Sequence, residues 1–254
     1  MNIIVLLKMV PDVVEELEVA ADGKSLDTTF LRTIINERDD HALEQALLLK
    51  ERHGGKVTVV ALDAPDIDDT LFATLAKGAD RVVKITDVPE GMTTQRAAKV
   101  CAKVLASIMP ADLVLTGVQA LDDLDALCAA VVAHELGLPY VGVVTAVSAG
   151  GATATVVKEF ASGVRGEFVV SLPAVLGIQA AEKPPRYVPV AKVRAVMKTA
   201  QIETVPAPCE IAATQIEVRQ LAKPVVTGHA EMLEGSPEEV AAQLVERLAQ
   251  RGLI

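Results

Sequence analysis

The sequence predicts an α/β fold, doubly wound around a mostly parallel sheet and Rossmann-like, followed by an extended C-terminal arm and a terminal helix. Three observations predict it. Apolar runs of strand length recur through the first half without polar alternation, as strands buried on both faces of a parallel sheet require. The segments between them repeat apolar residues at the period of a helix. The order is strand, helix, strand, helix, which winds a parallel sheet.

The first strand is expected at 2–7, a run too short for a signal peptide or a membrane helix. Ala42, Leu43, Ala46, Leu47 and Leu49 then form one helical stripe, stopped by Gly54-Gly55. Strand 57–62 precedes a second stripe on Ile67, Leu71 and Leu75, stopped by Gly78. Strand 81–85 precedes a third on Ala97, Val100, Cys101, Val104, Leu105 and Ile108, stopped by Pro110. A fourth core strand is expected at 112–116. After residue 140 the pattern changes. Runs 142–148 and 152–159 around Gly150-Gly151 read as a hairpin, and 167–172 and 174–178 flank Pro173. The predicted α/β domain is 1–182. Residues 183–254 form a recognition loop, a proline-dotted arm of little periodicity that suits wrapping a partner, and a last helix. Ser236-Pro237-Glu238-Glu239 is a capping box with Pro at the first helical position. It opens a helix at 237–250 on Val240, Leu244 and Leu248.

Composition narrows the function. Hydrophobic residues are 51% of the 254, ample for one core, but aromatics are 2% with no Trp. Stacking platforms for a base or a flavin ring are therefore scarce. A net charge of −10 argues against nucleic acid or an anionic membrane as the main partner. The three cysteines, Cys101, Cys128 and Cys209, match no metal or disulfide spacing. Cys101 and Cys128 lie in apolar helical stretches and read as buried, reduced thiols of a cytoplasmic protein.

In a doubly wound sheet, ligands bind beyond the carboxyl ends of the strands. Four segments fall there: Lys8 to Asp12, Asn36 to Asp40, Asp63 to Pro65, and Thr116 to Asp123. They are expected to converge on one crevice, where helix N-termini offer N–H groups to a phosphate. Taken singly, Asp39, Asp40 and Asp122 read more readily as helix caps than as ligand contacts. The sequence contains neither GxGxxG nor a P-loop, GxSxG or HExxH motif. His41, His53, His134 and His229 are scattered, and none is placed as a general base. No catalytic or metal-ligating set emerges, which favours a binding or shuttle protein over an enzyme.

The chain resembles electron-transfer flavoprotein beta subunits, whose fold is adenine-nucleotide-hydrolase-like. The resemblance lies in Val5-Leu6-Leu7-Lys8-Met9-Val10-Pro11-Asp12 and in Asn36-x-x-Asp39-x-x-Ala42-Leu43-Glu44-x-Ala46-Leu47. It continues in Leu75-Ala76-x-Gly78-Ala79-Asp80-Arg81, Gly117-x-Gln119-Ala120-x-Asp122-Asp123, Pro185-Arg186-Tyr187 and Leu233 to Glu239. These run in order over nearly the whole chain. The resemblance implies a heterodimer with an alpha subunit that holds the redox FAD. It implies AMP, or the AMP part of a second FAD, on this chain. The implied contacts are Leu6, Asn36, Asp39, Asp63, Gln119, Ala120, Asp122, Asp123, Ala126 and Cys128. It also implies docking to an acyl-CoA-dehydrogenase-type or other dehydrogenase, and to a quinone oxidoreductase, through Arg186, Tyr187, Val190, Arg194 and Lys198. Val13 stands where relatives place a Tyr near the alpha-subunit flavin.

One stretch departs from the family. Leu127 and Cys128 replace a polar pair near the phosphate, and Asp125 adds a negative charge. Each lost donor would cost about 1–3 kcal/mol. A structural subunit without a nucleotide is therefore a second reading. A stand-alone adenine-nucleotide protein of the universal-stress type is a third, although such domains carry a late Gly-rich phosphate loop that this sequence lacks.

Overall fold

Five buried residues in a row, Ile3 to Leu7, mark β1 (Asn2–Leu7) as an interior strand of the sheet in the computed structural model. The structure describes residues 1–254 except Glu90, Leu124, 209–216, Val226, Thr227 and His229. Cys209 and His229 thus lie outside the described residues. The chain forms two compact units, Met1–Glu18 with Leu26–Val218, and Val19–Ser25 with Arg219–Ile254.

In the first unit, β1 leads through a two-stranded antiparallel ribbon, β2 (Met9–Pro11) and β3 (Thr33–Ile35), into α1 (Glu37–His53). Then follow β4 (Lys56–Leu62), α2 (Ile67–Lys77), β5 (Arg81–Thr86), α3 (Thr94–Ile108), β6 (Leu113–Gly117) and α4 (Cys128–Leu136). The hairpin β7 (Tyr140–Gly150) and β8 (Thr153–Glu159) is continued by β9 (Arg165–Ser171), after which β10 (Ala174–Ile178) returns to the centre. The nine-stranded order is β11-β5-β4-β1-β6-β10-β7-β8-β9, where β11 is Glu203–Pro206. Pairings from β11 through β7 are parallel, and β8 and β9 are antiparallel. The doubly wound reading of the sequence holds, strand by strand.

Alternation along β1 feeds two cores. Ile3, Val5 and Leu7 face a cluster with Leu43, Leu47 and Leu49 of α1 and Leu71 of α2. Ile4 and Leu6 face the other, with Val100, Val104 and Leu105 of α3 and Val132 of α4. Each fully buried Leu or Ile contributes about 1.5–3 kcal/mol, so the two apolar layers hold the sheet between them. The chain runs outward from β1 through β4 to β5, then crosses back to β6 on the other side of β1. The switch point therefore lies between the carboxyl ends of β1 and β6.

The segment after residue 183 is more ordered than its composition implies. It carries α5 (Val190–Met197) and the edge strand β11, parallel to β5. Helix α5 buries none of its residues, so no apolar stripe marks it in sequence. Strand β11 is four residues long and ends at Pro206, which only an edge position tolerates. The Arg81 guanidinium donates to both Glu203 carboxylate oxygens at 2.7 and 2.8 Å and pins that edge.

In the second unit, the Asp22 carboxylate accepts from the Lys24 and Ser25 amides and closes the turn at 19–25. Helix α6 (Pro237–Gln250) begins on the expected capping box, with Ser236 and Glu239 each bonding the other's backbone amide.

Candidate functional site

All four segments singled out in the sequence meet at the switch point, around a cavity of about 310 Å³. That is the low end of the range for small-molecule sites, ~300–1,000 Å³. Of the residues expected to hold a cofactor, Leu6, Asn36, Asp39, Asp63, Gln119, Ala120, Asp123, Ala126 and Cys128 line it. Asp122 does not, and instead accepts a 2.6 Å bond from Lys8 Nζ. A fifth wall, Val88, Pro89, Gly91, Met92, Thr94 and Ala97, was not anticipated. It follows the carboxyl end of β5, so the rule that located the other four walls also reaches this one.

Asn36 and Asp39 are braces. Asn36 precedes α1 but its side chain makes no capping bond; its Nδ2 donates to the Gln119 carbonyl at 3.0 Å. The buried Asp39 carboxylate accepts from Lys8 N at 2.9 Å and Gly117 N at 2.6 Å. Since Lys8 follows β1 and Gly117 ends β6, one side chain ties the two strands together where they diverge. Neither capping nor an exposed ligand contact describes Asp39. Burial pushes its carboxyl up to about 7, against the pull of the Gly117, Asn36 and Lys8 donors.

Lys8 is the one cation among the described wall residues, and it is engaged. Its ammonium meets Asp122 at 2.6 Å and Asp123 at 3.5 Å. Burial opposes its charge, but the two carboxylates overcome burial and hold the ammonium above its usual value. Burial drives the Cys101 thiol up to about 12, and raises Cys128 as well, with Cys101 and Asp39 adding to it. Both cavity thiols are therefore protonated and poor nucleophiles at neutral pH. Among the described residues, no group of three or more His, Cys, Asp and Glu is placed to hold a metal. His41 uses Nδ1 to accept from the Ala181 amide, a structural task. Apolar walls, protonated thiols and tied polar groups make a place to bind.

Comparison with known proteins gives the family. The Electron transfer flavoprotein domain model matches residues 26–210. The electron transfer flavoprotein subunit beta of Methylophilus methylotrophus is 33% identical, over 97% of each chain. That of Clostridium acetobutylicum is 31% identical over the full length of both. The caffeyl-CoA reductase-Etf complex subunit CarD of Acetobacterium woodii is 28% identical, again over both full lengths.

The chain belongs to the electron transfer flavoprotein family. Its role there is that of the beta subunit, and beta subunits of this family pair with an alpha subunit.

The adenine nucleotide implied by the family resemblance would have to fit these walls. The walls fit part of one. Leu6, Leu62, Val88, Met92 and Ala97 offer apolar surface for a base and a sugar. Among the described residues, no aromatic ring lines the cavity. The helix that a phosphate would approach, α4, begins at Cys128, and Asp125 Oδ1 already accepts from Leu127 N at 3.1 Å just before it.

The docking residues implied by the family resemblance take two different positions. The Arg186 guanidinium is bound to Glu44 and Glu51 of α1. Tyr187 is 83% exposed and Val190 61%, and Arg194 and Lys198 are exposed on and just after α5. Arg186 thus anchors a segment whose next residues face solvent.

Gly117 leaves no room for a side chain. A Cβ there would lie 2.6 Å from both Arg38 Cβ and Asp39 Oδ1. Gly117→Ala is expected to cost about 1–3 kcal/mol through overpacking. A urea midpoint equal to wild type would show that α1 yields at no cost.

Proposed function

We propose that this beta subunit is the non-catalytic half of a cytoplasmic redox shuttle. In this reading the alpha partner holds the redox FAD, and this chain covers one side of it. The cavity at the switch point is the beta subunit's own ligand site, the place of AMP or of a second FAD in the family. Residues 183–254 supply the recognition loop, the arm and the terminal helix that meet other proteins. The observation that carries the proposal is a well-formed ligand cavity whose described lining is apolar walls, protonated thiols and tied polar groups, in a chain with full-length beta-subunit relatives. The cytoplasmic setting is supported by the free thiols Cys101 and Cys128.

Val13, 56% exposed, and Val14, 90% exposed, support an aliphatic surface toward the partner's flavin. The name of the Acetobacterium relative supports an oxidoreductase of CoA thioesters as a partner, and an acyl-CoA-dehydrogenase-type enzyme is the electron donor in this reading. A quinone oxidoreductase is the corresponding acceptor. Docking runs through Tyr187, Val190, Arg194 and Lys198, with Arg186 holding the loop. The direct test is reduction of the dye-coupled heterodimer by a cognate acyl-CoA dehydrogenase, run alongside each subunit alone. Transfer by the heterodimer only is expected; transfer by this chain alone would defeat the proposal.

The positive residues of the loop give a further expectation. Reversing Arg194 and Lys198 to Glu together is expected to slow electron transfer about tenfold at low ionic strength and much less at high, because exposed charges act through a screened field. Stopped-flow rates across a salt series check this. An equal slowing at both ends would point to lost contacts instead of lost steering.

A further inference from the structure

We infer that the switch-point cavity prefers an uncharged ligand of nucleoside size to its phosphorylated form, because Asp123 holds the ammonium, hydroxyl and amide that would otherwise meet a phosphate and sets its own charge beside them. The inference rests on the reading of this cavity as the beta subunit's ligand site.

Asp39, Asp63 and Asp123 line the cavity with Lys8. Burial pushes Asp39 up to about 7, and Asp63 faces Lys84 at 3.5 Å, so Asp123 is the carboxylate whose charge a phosphate would meet. The donors around Asp123 and at the ends of β1 and β6 are engaged. Lys8 Nζ bonds Asp122 and lies 3.5 Å from Asp123. Thr94 Oγ1 donates to Asp123 Oδ2 at 3.1 Å, and Ala120 N to Asp123 Oδ1 at 3.1 Å. Asn36 Nδ2 is held by the Gln119 carbonyl, and the amides of Lys8 and Gly117 by Asp39. Asp123 therefore gathers an ammonium, a hydroxyl and an amide, a set of the kind that binds a phosphate oxygen, and it is itself the anion they bind. An entering phosphate would have to break these bonds and remain beside Asp123, a like-charge contact that discriminates strongly against it. A base and a ribose need no such exchange. They meet the apolar walls and the small side chains of Ala120 and Ala126.

The test uses the heterodimer with its alpha subunit, after dialysis to remove loosely held ligand. Adenosine and AMP are titrated separately by calorimetry. Adenosine is expected to bind at least about tenfold more tightly than AMP, the effect of one unfavourable polar contact. The supernatant of the heat-denatured complex, resolved by chromatography, is expected to contain no AMP beyond the alpha-subunit flavin. AMP that binds as tightly as adenosine, AMP released one-to-one with the complex, or no binding of either compound would each overturn the inference. Asp123→Asn is expected to narrow the adenosine preference by releasing Lys8 and Thr94. Asp122→Asn, at an exposed position, is expected to shift the ratio in the same direction and covers the case in which the Asp123 variant fails to fold. An unchanged ratio in a folded variant would also count against the inference. Loss of electron transfer by the complex is a separate readout and bears on the carrier role alone.

Discussion

Arg186→Met is expected to cost about 2–4 kcal/mol of stability, toward the lower side of what a broken buried ion pair costs because the arginine is partly exposed. Its guanidinium reaches Glu44 through Nε at 2.9 Å and Nη2 at 2.8 Å, and Glu51 through Nη1 at 2.7 Å. The Arg186 amide adds a fourth tie to Glu44 at 3.0 Å. Glu44 is 3% exposed, so removing the arginine leaves a buried carboxylate with a backbone donor only. Burial works to raise the Glu44 carboxyl, but Arg186 overcomes it and holds the group below its ordinary 4.5. A depressed carboxyl stabilises the fold above its unfolded value and loses that contribution as pH falls below it. Wild type should therefore lose stability below about pH 4.5 more steeply than the variant does. Urea unfolding at pH 7 and pH 4 measures both effects. A variant as stable as wild type at pH 7 would mean that the clamp is ornamental. The same substitution should loosen α5, none of whose residues is buried.

Asp39→Ala is the second large effect, about 2–5 kcal/mol, because two buried amides lose their acceptor at about 1–3 kcal/mol each. Those amides belong to Lys8 and Gly117, so the loss falls where β1 and β6 diverge and should loosen the cavity floor as well. The pH dependence has the opposite sign to that of Glu44. The Asp39 carboxyl rises from 3.8 to about 7 on folding. A group raised on folding stabilises fully below its unfolded value, and that contribution is lost as pH rises through the folded value. The gap between wild type and Asp39→Ala should thus be widest near pH 4 and narrow toward pH 8. Unfolding free energies across that series check it. A constant gap would show that Asp39 does not titrate there.

The central sheet was legible because its chemistry is local. Unbroken runs such as Val57 to Leu62 can only be strands covered on both faces, and Gly54, Gly78 and Pro110 stop the helices between them. Four of the cavity walls followed from one topological rule. What sequence did not disclose depends on contacts far apart in the chain. Asp39 resembles a cap in sequence because its partners, Lys8 and Gly117, approach only after the sheet has wound. Arg186 resembles a free basic residue because Glu44 lies 142 positions away. Helix α5 and β11 escaped notice for a different reason: one buries nothing and the other is a four-residue edge, so neither leaves a periodic trace.

The account turns on this chain needing a flavin-bearing companion. Co-expression with an alpha subunit, followed by size-exclusion chromatography with absorbance at 280 and about 450 nm, tests that most directly. The flavin absorbance is expected only in a peak that holds both subunits in equal amounts, and none with the chain expressed alone. A yellow, redox-active peak of this chain by itself would contradict the account.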